Sequence, residues 1–116
     1  MKGFFILLLF LQDPSWELVR DKIALHESAN GKYKIHVNAN RTIDCGTYQI
    51  NSTHFAGSGK VRAEFNKIFD AYGVGGSLHE RVVAAITNDS LNESLARKLY
   101  EMRGLKSWTS SRKFLK

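Results

Sequence analysis

Apolar residues recur along most of the chain at helical spacing. Between residues 14 and 28, at about 100° per residue, Trp16, Val19, Ile23 and Glu27 share one narrow stripe, with Arg20 on the same side. Leu18 and Leu25 lie opposite, which predicts a helix buried on two sides. Asp13 reads as its cap and Pro14 as a first-turn residue, where a missing N–H costs nothing. The period then changes. Tyr33, Ile35 and Val37 alternate with Lys32, Lys34 and His36, the pattern of a half-buried strand. Asn38-Ala39-Asn40-Arg41 supplies turn residues, and a returning strand through Thr42, Ile43 and Asp44 completes a hairpin that brings Asp44 back toward Glu27.

Three further helices follow. Val61, Phe65, Ile68 and Tyr72 form a stripe that Gly73 ends. Ser77 and Glu80 form a capping box that opens a helix carrying Leu78, Val82 and Ile86. Ser90 and Glu93 repeat the device before Leu91, Leu95, Leu99 and Met102, and Gly104 closes that stripe. A hairpin among helices predicts an α+β fold, mostly α-helical, with a small β-hairpin beside the helix that carries Glu27.

At 116 residues the chain is the size of one domain, and its hydrophobic content of 43% is ordinary for a globular protein. Met1-Lys2 followed by the apolar run Gly3 to Leu11 has the form of a secretory signal, and the run is too short for an ordinary membrane-spanning helix. No small-residue cleavage site follows it. Residues 1–13 therefore read as a signal or a retained membrane tether through residues 3–11, and 14–116 as the functional domain; the competing reading is a buried N-terminal helix or strand. The first reading implies export to the periplasm or cell envelope.

The net charge of +6 suits an anionic partner, nucleic acid, membrane and bacterial cell wall among them. Its Lys and Arg residues are scattered, without the aromatic-interleaved stripe of a nucleic-acid binder, so no nucleic acid is expected. Cys45 is the only cysteine, so it can form no intramolecular disulfide, and it reads as a small buried hydrophobe. The four histidines, His26, His36, His54 and His79, show no metal-ligand spacing; neither metal nor cofactor is expected. Glu27 is the acidic residue whose stripe is apolar, and a carboxyl in such a setting is driven toward its protonated form.

Two separated motifs carry a resemblance. Ile23-Ala24-Leu25-His26-Glu27-Ser28 and, after an Asn-rich loop, Asp44-Cys45-Gly46-Thr47-Tyr48-Gln49-Ile50-Asn51-Ser52 resemble the signature of the lysozyme-like superfamily: a Glu-Ser at a helix end, then Gly-x-x-Gln-Ile-Asn. The similarity covers residues 23–55. Asn92, Ala96, Tyr100, Gly104 and Trp108 are similar to the final helix and Gly-to-Trp segment of transglycosylase domains.

The resemblance implies a lysozyme-like fold and a monomeric muramidase acting on peptidoglycan glycan strands, foremost a lytic transglycosylase. It makes Glu27 the catalytic acid. Ser28, Gly46, Tyr48, Gln49, Asn51, His54 and Phe55 become the substrate-binding set. Within it Ser28 fixes the helix end, Gly46 admits backbone close to the sugar, Gln49 and Asn51 bond N-acetyl and hydroxyl groups, and His54 and Phe55 stack on sugar. Asp44 matches the second carboxylate of hydrolytic lysozymes, which leaves hydrolysis open beside transglycosylation; an aspartate that merely holds the turn before Gly46 is the third possibility, and a catalytically silent glycan binder on the same fold the fourth. The chain departs from both families. It lacks the lysozyme cysteines, and Ala84-Ala85-Ile86-Thr87-Asn88-Asp89 replaces the Ala-Tyr-Asn-Ala-Gly run of many transglycosylases. The tyrosine that supports the acid is therefore open among Tyr33, Tyr48, Tyr72 and Tyr100.

Overall fold

The computed structural model describes residues 14–108. The leader and the expected Asp13 cap lie outside the described residues. Helix α1 spans Trp16–Ser28 and begins two residues later than expected, with Ser15 in extended conformation at its cap. The predicted stripe is buried through Trp16, Val19 and Ile23. Leu18 and Leu25 are 69% and 60% exposed, so α1 is covered on one side only: nothing in the described fold packs against its outer face. The helix ends because Ala29, Asn30 and Gly31 turn left-handed in succession. The Ser28 hydroxyl holds that reversal, accepting from the Gly31 N–H at 2.8 Å and donating to the Thr47 carbonyl at 2.6 Å.

The hairpin forms, and a third strand extends it. Strands β1 (Ile35–Val37), β2 (Ile43–Cys45) and β3 (Ile50–Asn51) make an antiparallel sheet in sequence order. β1 is exposed throughout, contrary to the half-buried alternation expected. It is an edge strand, and among the described residues no helix lies over its apolar side; the buried positions of the sheet are Cys45 and Ile50, one strand and two strands further in. A single turn of 3-10 helix, Ser52–Phe55, follows β3, with Asn51 as its cap.

Helices α2 (Lys60–Ala71), α3 (Leu78–Thr87) and α4 (Asp89–Arg103) complete the main framework, and a 3-10 turn, Gly104–Ser107, closes it. α4 is central: Leu91, Leu95 and Leu99 are buried as the spacing required, joined by Asn92, Ala96 and Tyr100. Met102 lies at the exposed end of the stripe. Each buried leucine contributes about 1.5–3 kcal/mol through removal of apolar surface from water. The cap of α4 is Asn88, whose side chain accepts from the Leu91 N–H, and not Ser90, whose hydroxyl bonds Tyr72 instead.

α3 keeps the Ser77–Glu80 cap but buries a different face: Arg81 and Ala85 face inward, Val82 and Ile86 are partly covered, and Leu78 is largely exposed. A guanidinium can be buried here because carbonyls meet it. Its nitrogens donate to the Phe55 carbonyl, the Gly75 carbonyl and Asn66 Oδ1, and it lies 4.8 Å above the Phe69 ring.

Two aromatic groups fill the core. Trp16 packs on Tyr48, Tyr100 and Trp108, and Phe55 on Phe65 and Phe69. The described chain is thus a mostly helical α+β unit in which a small sheet stands beside the C-terminal end of α1. Among the described residues no helix is long and apolar enough to cross a membrane.

Candidate active site

The reversal after Ser28 returns the chain as β1, and this leaves the last turn of α1 facing the sheet. A groove lies between them. One segment, of about 280 Å3, is lined by Glu27, Asp44, Gln49, Asn51, His54, Leu99, Ser107 and Trp108. A second, of about 300 Å3, is lined by His26, Glu27, Tyr33, Ile35, His36, Asp44 and Gln49. Glu27, Asp44 and Gln49 belong to both, so the two carboxylates stand where the segments meet.

Sheet register explains how these side chains converge. His36 pairs with Asp44, and Asp44 with Asn51, so one residue from each strand stands in a row across the sheet. Directly paired residues of antiparallel strands project to the same face. That face is the groove, whereas the adjacent pair Cys45 and Ile50 points into the core. Asn51 holds the row together, donating from Nδ2 to Asp44 Oδ1 at 2.8 Å and to Thr42 Oγ1 at 3.1 Å, while its Oδ1 accepts from the Thr53 N–H.

Gln49 occupies a left-handed conformation, φ 53°, at the turn between β2 and β3. Its Nε2 donates to the Gly46 and Tyr33 carbonyls, which ties the turn to the chain leading into β1. His54 lies half-buried on the groove wall, edge-on to Phe65. Burial, and then the positive charge of Arg103, hold its pKa below the usual histidine value. Its neutral form, able both to donate and to accept, therefore prevails at neutral pH. Ser107 adds a buried hydroxyl on the same wall with no hydrogen-bond partner among the described residues.

Four members of the expected substrate-binding set take other places. Ser28 is buried and its hydroxyl is engaged with backbone, so it supports the helix end without facing the groove. Tyr48 is in the core against Trp16, its hydroxyl donating to Glu93, and burial followed by the Glu93 charge pushes its pKa up to about 12. Phe55 is in the core with Phe65 and Phe69. Gly46 has φ 79°, and a Cβ there would lie 2.2 Å from Asn92 Nδ2 and 2.6 Å from the Ala85 carbonyl. The close approach this glycine permits is therefore to α4 and α3, in the interior, and not to a sugar.

Cys45 is buried on the same interior side, and burial, then the Asp44 charge, push its thiol up to about 12, far from a reactive thiolate. Among the described residues no cluster of ligating side chains could hold a metal.

Of the candidate supporting tyrosines, Tyr33 shares a groove segment with Glu27. Tyr72 bonds Ser90 and Ser94, and Tyr100 donates to the Pro14 carbonyl. Sequence reasoning missed Ile35, Leu99 and Ser107 as groove residues and left His26 and His36 as surface or cleft groups without choosing between the two. His36 could have been found, because pairing the two strands of the expected hairpin about the Asn38–Arg41 turn puts it opposite Asp44. Comparison with family models, curated proteins and solved structures finds no significant match to this chain.

Proposed function

We propose that this protein is a muramidase of lysozyme-like fold, a lytic transglycosylase that cuts the β-1,4 bond between N-acetylmuramic acid and N-acetylglucosamine in peptidoglycan. The observation that carries the reading is the meeting of Glu27 and Asp44 in one groove with the amides of Gln49 and Asn51 and the imidazole of His54. Amides, hydroxyls and a neutral imidazole suit the acetamido and hydroxyl groups of a glycan, and a carboxyl at the junction suits general acid catalysis.

Glu27 in its protonated form gives its proton to the glycosidic oxygen, so that the leaving sugar departs as a neutral alcohol. The substrate's own acetamido oxygen stabilises the anomeric carbon. The Glu27 carboxylate then takes the proton of the muramoyl C6 hydroxyl, whose oxygen closes on the anomeric carbon to give the 1,6-anhydro product. One carboxylate serves both steps, no water is consumed, and no cofactor takes part.

Hydrolysis is the second reading, and the Asn51–Asp44 hydrogen bond favours it, because it fixes a second carboxyl group on the groove that Glu27 also lines. Mass spectrometry of a purified digest decides. Anhydro ends establish the transglycosylase, and reducing ends establish a lysozyme using Glu27 and Asp44. No products would leave a non-catalytic glycan binder. With a cell-wall substrate the protein works outside the cytoplasm, and a periplasm-dependent reporter fused to residues 1–13 tests whether they direct export.

A further inference from the structure

The side of α1 that faces away from the core is apolar along one line. Leu18 and Leu25 stand seven positions apart, which at 3.6 residues per turn puts them directly in register on the helix surface. At 69% and 60% exposure they are the barest large apolar side chains on any helix of the described residues. Lys22 lies between them, exposed, and has no acidic partner among the described residues. The acids beside the line are matched, Glu17 by Arg97 at 3.5 Å and Asp21 by Arg20 at 3.7 Å. The line therefore offers apolar side chains and one unmatched cation.

The chain that precedes α1 indicates what covers it. Gly3 to Leu11 is nine residues without a polar side chain. A segment apolar on every side cannot cover Leu18 and Leu25 with one face without leaving another face bare, so the domain surface alone does not accommodate it. Nine residues at helical rise span about 14 Å, about half the hydrocarbon core of a bilayer, a length for entering one leaflet. Gln12 to Ser15 are four residues with a reach of at most about 14 Å, so a run held in lipid keeps the first turn of α1 at the interface.

We propose that the outer face of α1, formed by Leu18, Lys22 and Leu25, docks on an anionic lipid bilayer beside the point where residues 3–11 enter it. The leucines sink below the headgroups, and Lys22 reaches lipid phosphate along its own methylenes. The net charge of +6 draws the domain to the same surface. Glu27 is on the opposite side of α1, where it lines the groove, so docking turns the groove away from the lipid by about one helix diameter, about 10 Å. This surface is separate from the groove and does not depend on what the groove cuts.

The test uses the full chain with vesicles of phosphatidylglycerol and phosphatidylethanolamine. Leu25→Cys and, as a reference on α2, Lys67→Cys each carry an environment-sensitive dye, while the native Cys45 is buried. On vesicles the dye at 25 should shift to the blue and the dye at 67 should not. Replacing Leu18 and Leu25 together by serine should weaken vesicle flotation by about tenfold with unchanged circular dichroism. Absence of vesicle binding, a dye at 25 that stays in water on bound protein, or equal shifts at 25 and 67 would overturn the proposal. So would a dye at 25 already shielded in buffer: shielding lost on dilution gives the face to a second copy, and shielding independent of concentration gives it to residues 3–11.

Discussion

Replacing Gly46 with alanine tests how the sheet side of the groove is held. The residue sits at φ 79°, where a Cβ costs about 1–2 kcal/mol. The new methyl would lie 2.2 and 2.4 Å from Asn92 Nδ2 and Cγ, so the amide must leave its place. There it accepts from the Tyr48 N–H at 2.9 Å and donates to the Cys45 and Ala85 carbonyls at 2.8 and 3.0 Å. A buried hydrogen bond contributes about 1 kcal/mol, and a buried group left unpaired costs about 1–3 kcal/mol.

Together these make Gly46→Ala destabilising by about 4–8 kcal/mol, a large share of the roughly 5–15 kcal/mol expected for a domain. Asn92→Ala alone should cost about 3–5 kcal/mol through the same lost bonds. In that background the methyl meets only backbone strain and the Ala85 carbonyl, so adding Gly46→Ala should cost about 3–5 kcal/mol less than in the wild type. Urea unfolding followed by the fluorescence of the buried Trp16 and Trp108 reads all four proteins of the cycle. Additivity within about 0.5 kcal/mol, or a Gly46→Ala cost below about 1 kcal/mol, would refute the account.

Glu27→Gln should keep the far-UV circular dichroism and melting temperature of the wild type while wall lysis falls about a hundredfold or more; substantial residual lysis would remove Glu27 from the acid's role. Asp44→Asn should cost less than about tenfold in rate if the substrate's acetamido group does the stabilising, whereas loss as complete as in Glu27→Gln would establish the two-carboxylate lysozyme. His54 is held below its unfolded pKa, so the folded state binds fewer protons there. Its contribution is fully present above about pH 6.5 and is lost as pH falls through its lower folded value. Wild type should therefore lose stability relative to His54→Gln on acidification from pH 7.5 to 5, and a gain would contradict the assignment. The Cys45 thiol, pushed up to about 12, should resist iodoacetamide at pH 8 until urea unfolds the chain; rapid native-state alkylation would show the burial to be wrong.

The pattern of apolar positions carried far. Helical spacing located each of the four α-helices of the described region but neither 3-10 turn, and the resemblance singled out Glu27, Asp44, Gln49, Asn51 and His54, which line one groove segment. What periodicity does not encode is the partner of each face. Ile35 and Val37 have the apolar alternation of a covered strand, yet among the described residues no helix covers them. Arg81 looks like a solvated position of α3, and its burial depends on the Phe55 carbonyl and Asn66, distant in sequence. Gly46, Tyr48 and Phe55 belong to the motif because they build the floor from within, and a motif alone does not distinguish a residue that touches the groove from one that supports it. Asn88 rather than Ser90 caps α4 because the Ser90 hydroxyl is drawn to Tyr72, a tertiary contact.

The groove's two walls come from opposite ends of the described chain. Asn92 grips the Cys45 carbonyl across a separation of 47 residues, and Trp108 Nε1 bonds the Tyr48 carbonyl across 60. Such distant closures come late and slowly in folding. A chain emerging from the ribosome holds Glu27 and Asp44 long before it holds the wall that faces them. The groove is complete only when the last aromatic anchor has arrived, so chain order sets the moment at which its facing walls meet.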